Sequence, residues 1–248
     1  EVMVVPIILI AAGLITAFYF SQSGERDVPE FEPDLPPIPG STRYKLVDAI
    51  LPQLKQAADS SSIPLGVLVG WIASESGGRI GAAPKILPGQ TDSERGYFQL
   101  HPSESKSLGI DHARLSTDPV YSINAGVSLI QKYMNLIDSL GIAPRGSTFY
   151  WLLVKLAHTM GSGATKIIVE GAKKEGQART WEQLKNHALG NEQKYLSATK
   201  HSPSKWFPHV DKVLSIGQPF GFGSTTIVGA IYKDIPDPLD CMRNNGRG

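Results

Sequence analysis

The chain has 248 residues, 41% of them hydrophobic, and a formal charge of +1; this supports one packed domain of about 150 to 200 residues with accessory segments, but not two large domains. A lone cysteine, Cys241, excludes an internal disulfide and any zinc site built on several thiolates, and the six histidines show no HExxH-like spacing, so neither a metal nor a cofactor is expected. Charge is uneven: once Glu1 and the five acids between Ser21 and Gly40 are set aside, 17 acids face 23 Lys plus Arg from Ser41 onward, about +6, yet no basic run with interleaved aromatics argues for a nucleic-acid partner.

In chain order, residues 1–20 come first as a membrane anchor. Val2 to Phe20 is uncharged and overwhelmingly apolar, long enough to cross roughly 28 Å of hydrocarbon at about 1.5 Å per residue. This reads as a transmembrane helix that makes the lipid bilayer a partner through residues 2–20. The competing readings are a cleavable signal peptide, which lacks its basic n-region here, and an apolar helix buried in a protein assembly. Residues 21–40 hold five prolines and five acids, a composition that builds no core and favours an extended, self-repelling spacer.

From Ser41 helical periodicity dominates. Tyr44, Val47, Leu51 and Leu54 form one apolar stripe; Leu65, Leu68, Val69 and Ile72 form another. Ala82 to Arg95, with Pro84, Pro88 and Gly89, reads as a loop or short hairpin. Ile123, Val127, Ile130, Met134 and Ile137 make a third stripe, and Phe149, Leu152, Leu153 and Leu156 a fourth, with shorter helices expected at Thr165 to Lys174, Trp181 to Ala188 and Trp206 to Leu214. The fold class is therefore mainly α. Residues 41–217 form the body, and 218–248 an irregular C-terminal tail, Gly-rich at first, that could dock a partner.

The residue that departs from this pattern is Glu75, which continues the Leu65–Ile72 stripe and so points a carboxylate toward a buried face. Burial penalises the ionised form and lets an acid hold its proton near neutral pH. Glu75 is thus a candidate general acid.

Four linked motifs surround it in order: Glu75-Ser76-Gly77-Gly78, Gly96-Tyr97-Phe98-Gln99-Leu100-His101-Pro102, Asp118-Pro119 with Ile123-Asn124-Ala125-Gly126, and Ala157-His158-Thr159-Met160-Gly161-Ser162-Gly163. In order and spacing, from about Ser41 to Gly217, the chain resembles the soluble lytic transglycosylase domain of the goose-lysozyme-like superfamily. The resemblance implies a lysozyme-like helical domain acting on peptidoglycan glycan strands. Glu75 would protonate the oxygen between N-acetylmuramic acid and N-acetylglucosamine, then deprotonate the muramoyl C6 hydroxyl as it closes a 1,6-anhydro ring. One carboxylate suffices, because the nucleophile belongs to the substrate.

The same resemblance makes Gln99 a substrate-binding amide. Ser76 would bond near Glu75 or the sugar, the alternative being a helix-end residue before Gly77-Gly78, and Tyr97 would offer a stacking surface unless its ring is core. Two departures stand out. His158-Thr159 replaces the family's Tyr-Asn, leaving His158 either a substitute hydrogen-bonding group at the acid or a core histidine, and Phe207 stands where a late tyrosine is expected. Asp92 and Glu94 could supply a second carboxyl for simple hydrolysis, or be solvated loop charges. Three functions follow as expectations: a membrane-tethered transglycosylase of a bacterial envelope, periplasm-facing, or of a phage particle; a goose-type hydrolase; and a catalytically degenerate peptidoglycan-binding component of a virion or secretion complex.

Overall fold

The computed structural model describes residues 44–82 and 92–222. The expected transmembrane helix and acidic spacer lie outside these residues, as does most of the expected tail. Among the described residues no helix is long and apolar enough to cross a membrane.

The described body is mainly α. The first stripe is divided into α1 (Lys45–Asp48) and α2 (Leu51–Ser61). Pro52 lies in the first turn of α2, where its missing N–H removes no intrahelical bond, and Ser62 closes the helix in the left-handed region with φ 59°. Pro64 then leads into α3 (Leu65–Glu75), every residue of which from Leu65 to Ser74 is buried. A helix apolar on all sides belongs in the centre of a domain.

Most of the expected loop or short hairpin, residues 83–91, lies outside the described residues; beyond it Arg95 and Leu100 close a tight turn by exchanging both backbone hydrogen bonds at 3.0 Å. α4 (Pro102–Leu108), not anticipated from periodicity, is set by a capping box in which Ser103 N–H donates to His101 Nδ1 and His101 N–H to Glu104 Oε2. α5 (Pro119–Leu140) is capped by Asp118, which accepts from Tyr121 N–H at 2.9 Å, and buries Ile123, Ile130, Met134 and Ile137 as expected. At Gly126 it presses on the Phe98 ring so closely that a Cβ would stand 2.1 Å from the ring.

α6 (Thr148–Met160) begins at the Ser147 cap and, like α3, is buried without interruption from Tyr150 to Ala157. Four more helices complete the body: α7 (Ser162–Lys174), α8 (Trp181–Gly190), α9 (Glu192–Thr199) and α10 (Pro203–Gly217). α10 is longer than the expected Trp206 to Leu214, and it tolerates Pro208 in its interior. Phe220 and Phe222 are buried as well, so the packed body runs past Gly217 into the segment read as tail.

The most extensive helix pair is α3 with α10. Glycines make it possible. A Cβ on Gly66 would lie 2.3 Å from the Gly217 carbonyl oxygen, and one on Gly70 would lie 2.3 Å from the Val213 carbonyl oxygen. The helices run antiparallel, one residue of each meeting its partner every four positions: 66 with 217, 70 with 213. One further turn along this seam brings the end of α3, at Glu75, beside His209 of α10.

Candidate active site

Glu75 is the last residue of α3, and its side chain is 2% exposed. By contrast the ion-paired carboxylates of Asp92, Asp118, Asp138 and Asp211 keep 31–38% of their side chains exposed. The expectation of a buried acid on the apolar face therefore holds. Its surroundings differ from those expected, because Lys155 of α6, itself 1% exposed, donates from Nζ directly to Glu75 Oε1. Each of the two central helices carries one charge inward, and the two meet.

Two histidines complete the cluster. His209 Nε2 lies 3.2 Å from Glu75 Oε1. His158 Nδ1 lies 3.2 Å from Lys155 Nζ and 4.0 Å from Glu75 Oε1. The His158 ring packs 5.1 Å from Trp71 and edge-on to Tyr133 at 5.9 Å, while the Lys155 ammonium sits 4.5 Å above the Trp71 ring. Tyr133 donates to Glu104 Oε1 at 2.7 Å, and burial, followed by Glu104, raises its phenol well above the ordinary range. Lys212 of α10 is held below the usual lysine range by burial, partly offset by the charge of Glu75.

Electrostatically, Glu75 is placed between opposing effects. Burial disfavours its carboxylate, and so does the negative end of the α3 dipole. The Lys155 ammonium in direct contact favours it, and is itself tolerable in the interior only because the carboxylate faces it. The single-acid picture read from the sequence, in which burial alone raises the acid, thus becomes a buried acid–base pair. The cluster reaches the surface through His158, 10% exposed, and His209, 23% exposed.

The other expected site residues are placed as follows. Ser76 donates to the Tyr97 carbonyl at 2.8 Å and to the Ile72 carbonyl at 3.2 Å, so it fastens the end of α3 to the following turn, in keeping with the helix-end reading. Gln99, at φ 51° and buried, donates both amide hydrogens, to Ala82 O and Gly96 O at 2.7 Å each. That bonding closes the turn and ties it to the strand of chain leaving α3. Tyr97 is 4% exposed, with its N–H on Ser122 Oγ; its ring is core. Thr159 donates back to the Lys155 carbonyl one turn earlier. Asp92 accepts from Ser93 N–H and from the Arg95 guanidinium. Of the expected set, the structure brings together Glu75 and His158.

Sequence reasoning missed Lys155 and His209. Lys155 had a visible signal: it is the one charge in Tyr150-Trp151-Leu152-Leu153-Val154-Lys155-Leu156-Ala157, a run with no polar face to hold it. His209 could be found only through the pairing of α3 and α10, for which Gly66 and Gly70, spaced by four, were the available hint. Phe207, read as the replaced tyrosine, is fully buried 4.9 Å from Trp181, and the residue of this helix that reaches Glu75 is His209, two positions later.

Among the described residues no group of three His, Cys, Asp or Glu side chains could hold a metal ion. No protein-family model matches this chain, and no curated protein is significantly similar to it.

Proposed function

We propose that this chain is a peptidoglycan lytic transglycosylase, tethered to a membrane through residues 2–20 and used for local opening of the cell wall, in a bacterial envelope or a phage particle. The observation that carries this reading is the carboxylate of Glu75, buried at the end of a central helix with His209 Nε2 3.2 Å and His158 Nδ1 4.0 Å from its Oε1. Its proton-bearing form would donate to the glycosidic oxygen between N-acetylmuramic acid and N-acetylglucosamine. As the carboxylate, it would then take the proton of the muramoyl C6 hydroxyl, whose oxygen bonds to the anomeric carbon. His209 and His158, the more exposed members of the cluster, offer routes by which a proton reaches Glu75. The order of the four motifs and the mainly α body support the same reading.

The direct contact of Lys155 with Glu75 favours a second reading, a degenerate module that binds peptidoglycan or a partner without cutting it. Incubating the full chain with purified murein, with Glu75→Gln as control, and weighing the released products separates the two. The transglycosylase reading predicts anhydro-muramoyl products that vanish in the variant. Products one water heavier would replace it by a hydrolase, and no release by the binding module.

A further inference from the structure

We propose that Lys155 is a positioning residue that holds Glu75 as a carboxylate in the resting protein, so that the acid–base cycle begins only when a proton is delivered to this pair. The consequence for catalysis rests on the transglycosylase reading; the effect on Glu75 does not.

Geometry carries the inference. The two side chains are 1% and 2% exposed and touch directly, so water screens their attraction little. Lys155 is fixed on its other sides by His158 Nδ1 at 3.2 Å and by the Trp71 ring at 4.5 Å, leaving its ammonium little freedom to swing away. The remaining groups around Glu75 do not substitute for it. α10 contributes His209, neutral or charged according to pH, and Lys212, whose ammonium burial disfavours. α5 contributes Tyr133, which is turned to Glu104. Arg79, just beyond α3, donates to the Ser76 carbonyl at 3.3 Å. α1 and α2 also pack on α3, and the residues they bury, Val47, Leu54, Ala57 and Ala58, are apolar.

With Lys155 charged, protonating Glu75 leaves a buried ammonium facing a neutral acid, a state disfavoured relative to the ion pair. The proton that Glu75 donates would therefore be taken up from solution through His209, and at a lower pH than burial alone requires. Removing the ammonium reverses this. A buried carboxyl group without its ammonium partner holds its proton more readily, so in a protein lacking Lys155 the acid form of Glu75 persists to higher pH.

The test is carbon NMR of the full chain labelled at glutamate Cδ, with the Glu75 signal assigned by its loss in Glu75→Gln, alongside murein release as a function of pH. In the unaltered protein the Glu75 signal is that of a carboxylate at pH 7. In Lys155→Met it titrates at higher pH, and the acid limb of murein release moves the same way, raising the rate at pH 7 about tenfold. Lys155→Gln, which keeps a hydrogen-bond donor without the charge, gives the same direction. A Glu75 signal already protonated at pH 7 in the unaltered protein overturns the proposal even if neither variant folds. So does a midpoint that Lys155→Met and Lys155→Gln leave in place. Where the midpoint moves but no protein releases murein, the positioning role stands and the transglycosylase reading falls.

Discussion

Two regions of this molecule join a carboxylate to a histidine, and they do so in opposite ways. In the centre, Glu75 is the buried member, and its histidine partners lead toward the surface. At the periphery, His187 of α8 is buried, bonding Tyr195 of α9 through Nε2 at 2.6 Å and facing Glu175 through Nδ1 at 3.2 Å, but here the acid is 52% exposed. Tyr195 is buried under Gly171 of α7, where a Cβ would meet its hydroxyl at 2.2 Å. The peripheral set ties three helices together and leaves its charge in water, which makes it an assembly device. The central set carries charge into the interior, where an ionised acid costs stability unless it is paired, as Glu75 is with Lys155.

This contrast can be broken from the centre outward. Lys155→Ala removes the counter-ion of a buried carboxylate and should lower stability by about 3–5 kcal/mol, whereas the double variant Glu75→Gln with Lys155→Met should recover much of that loss; chemical denaturation of the three proteins measures both. A double variant as unstable as Lys155→Ala would show that the lysine acts by packing alone. Gly70→Ala forces a Cβ against the Val213 carbonyl and should cost about 1–3 kcal/mol. Because it spreads the seam that sets His209 beside Glu75, it should also reduce murein release more than its stability loss explains.

At the periphery, Tyr195→Phe deletes the hydroxyl bonded to His187 and should lower stability by about 1–2 kcal/mol without altering murein release, compared by melting and product yield. The smallest effect concerns pH. Burial holds His201 below the ordinary histidine value of 6.5, so the fold keeps it neutral while the unfolded chain takes up a proton as pH falls through 6.5. Its contribution is fully present above that pH and declines below it. Stability measured from pH 7.5 to 5 should fall less steeply in His201→Gln, with part of the slope remaining because burial lowers His101 in the same direction.

Periodicity was a sound guide wherever a helix has one apolar face: of the α5 stripe, Ile123, Ile130, Met134 and Ile137 are buried as their spacing dictates, and Val127 is half-buried against the core. It was a poorer guide to α4 and α9, which are short and held by a capping box or by neighbours rather than by an apolar stripe. Glu75 was legible because an acid interrupts an apolar stripe in its own helix. Ser76 and Gln99 look available to a ligand in sequence, yet their side chains donate to backbone carbonyls, and Tyr97, whose N–H donates to Ser122 Oγ, has its ring in the core; these placements depend on a turn whose path no local pattern specifies. His209 belongs to the centre only through the register of α3 on α10, a relation between segments more than 130 positions apart.

The contrast between the two acids supplies the most direct measurement. Murein release by Glu75→Gln and by Glu175→Gln, each matched for folding by circular dichroism, should differ by at least about a thousandfold, the first essentially inactive and the second like the unaltered protein. Equal activity of the two variants would contradict the assignment of Glu75 as the group that moves the proton.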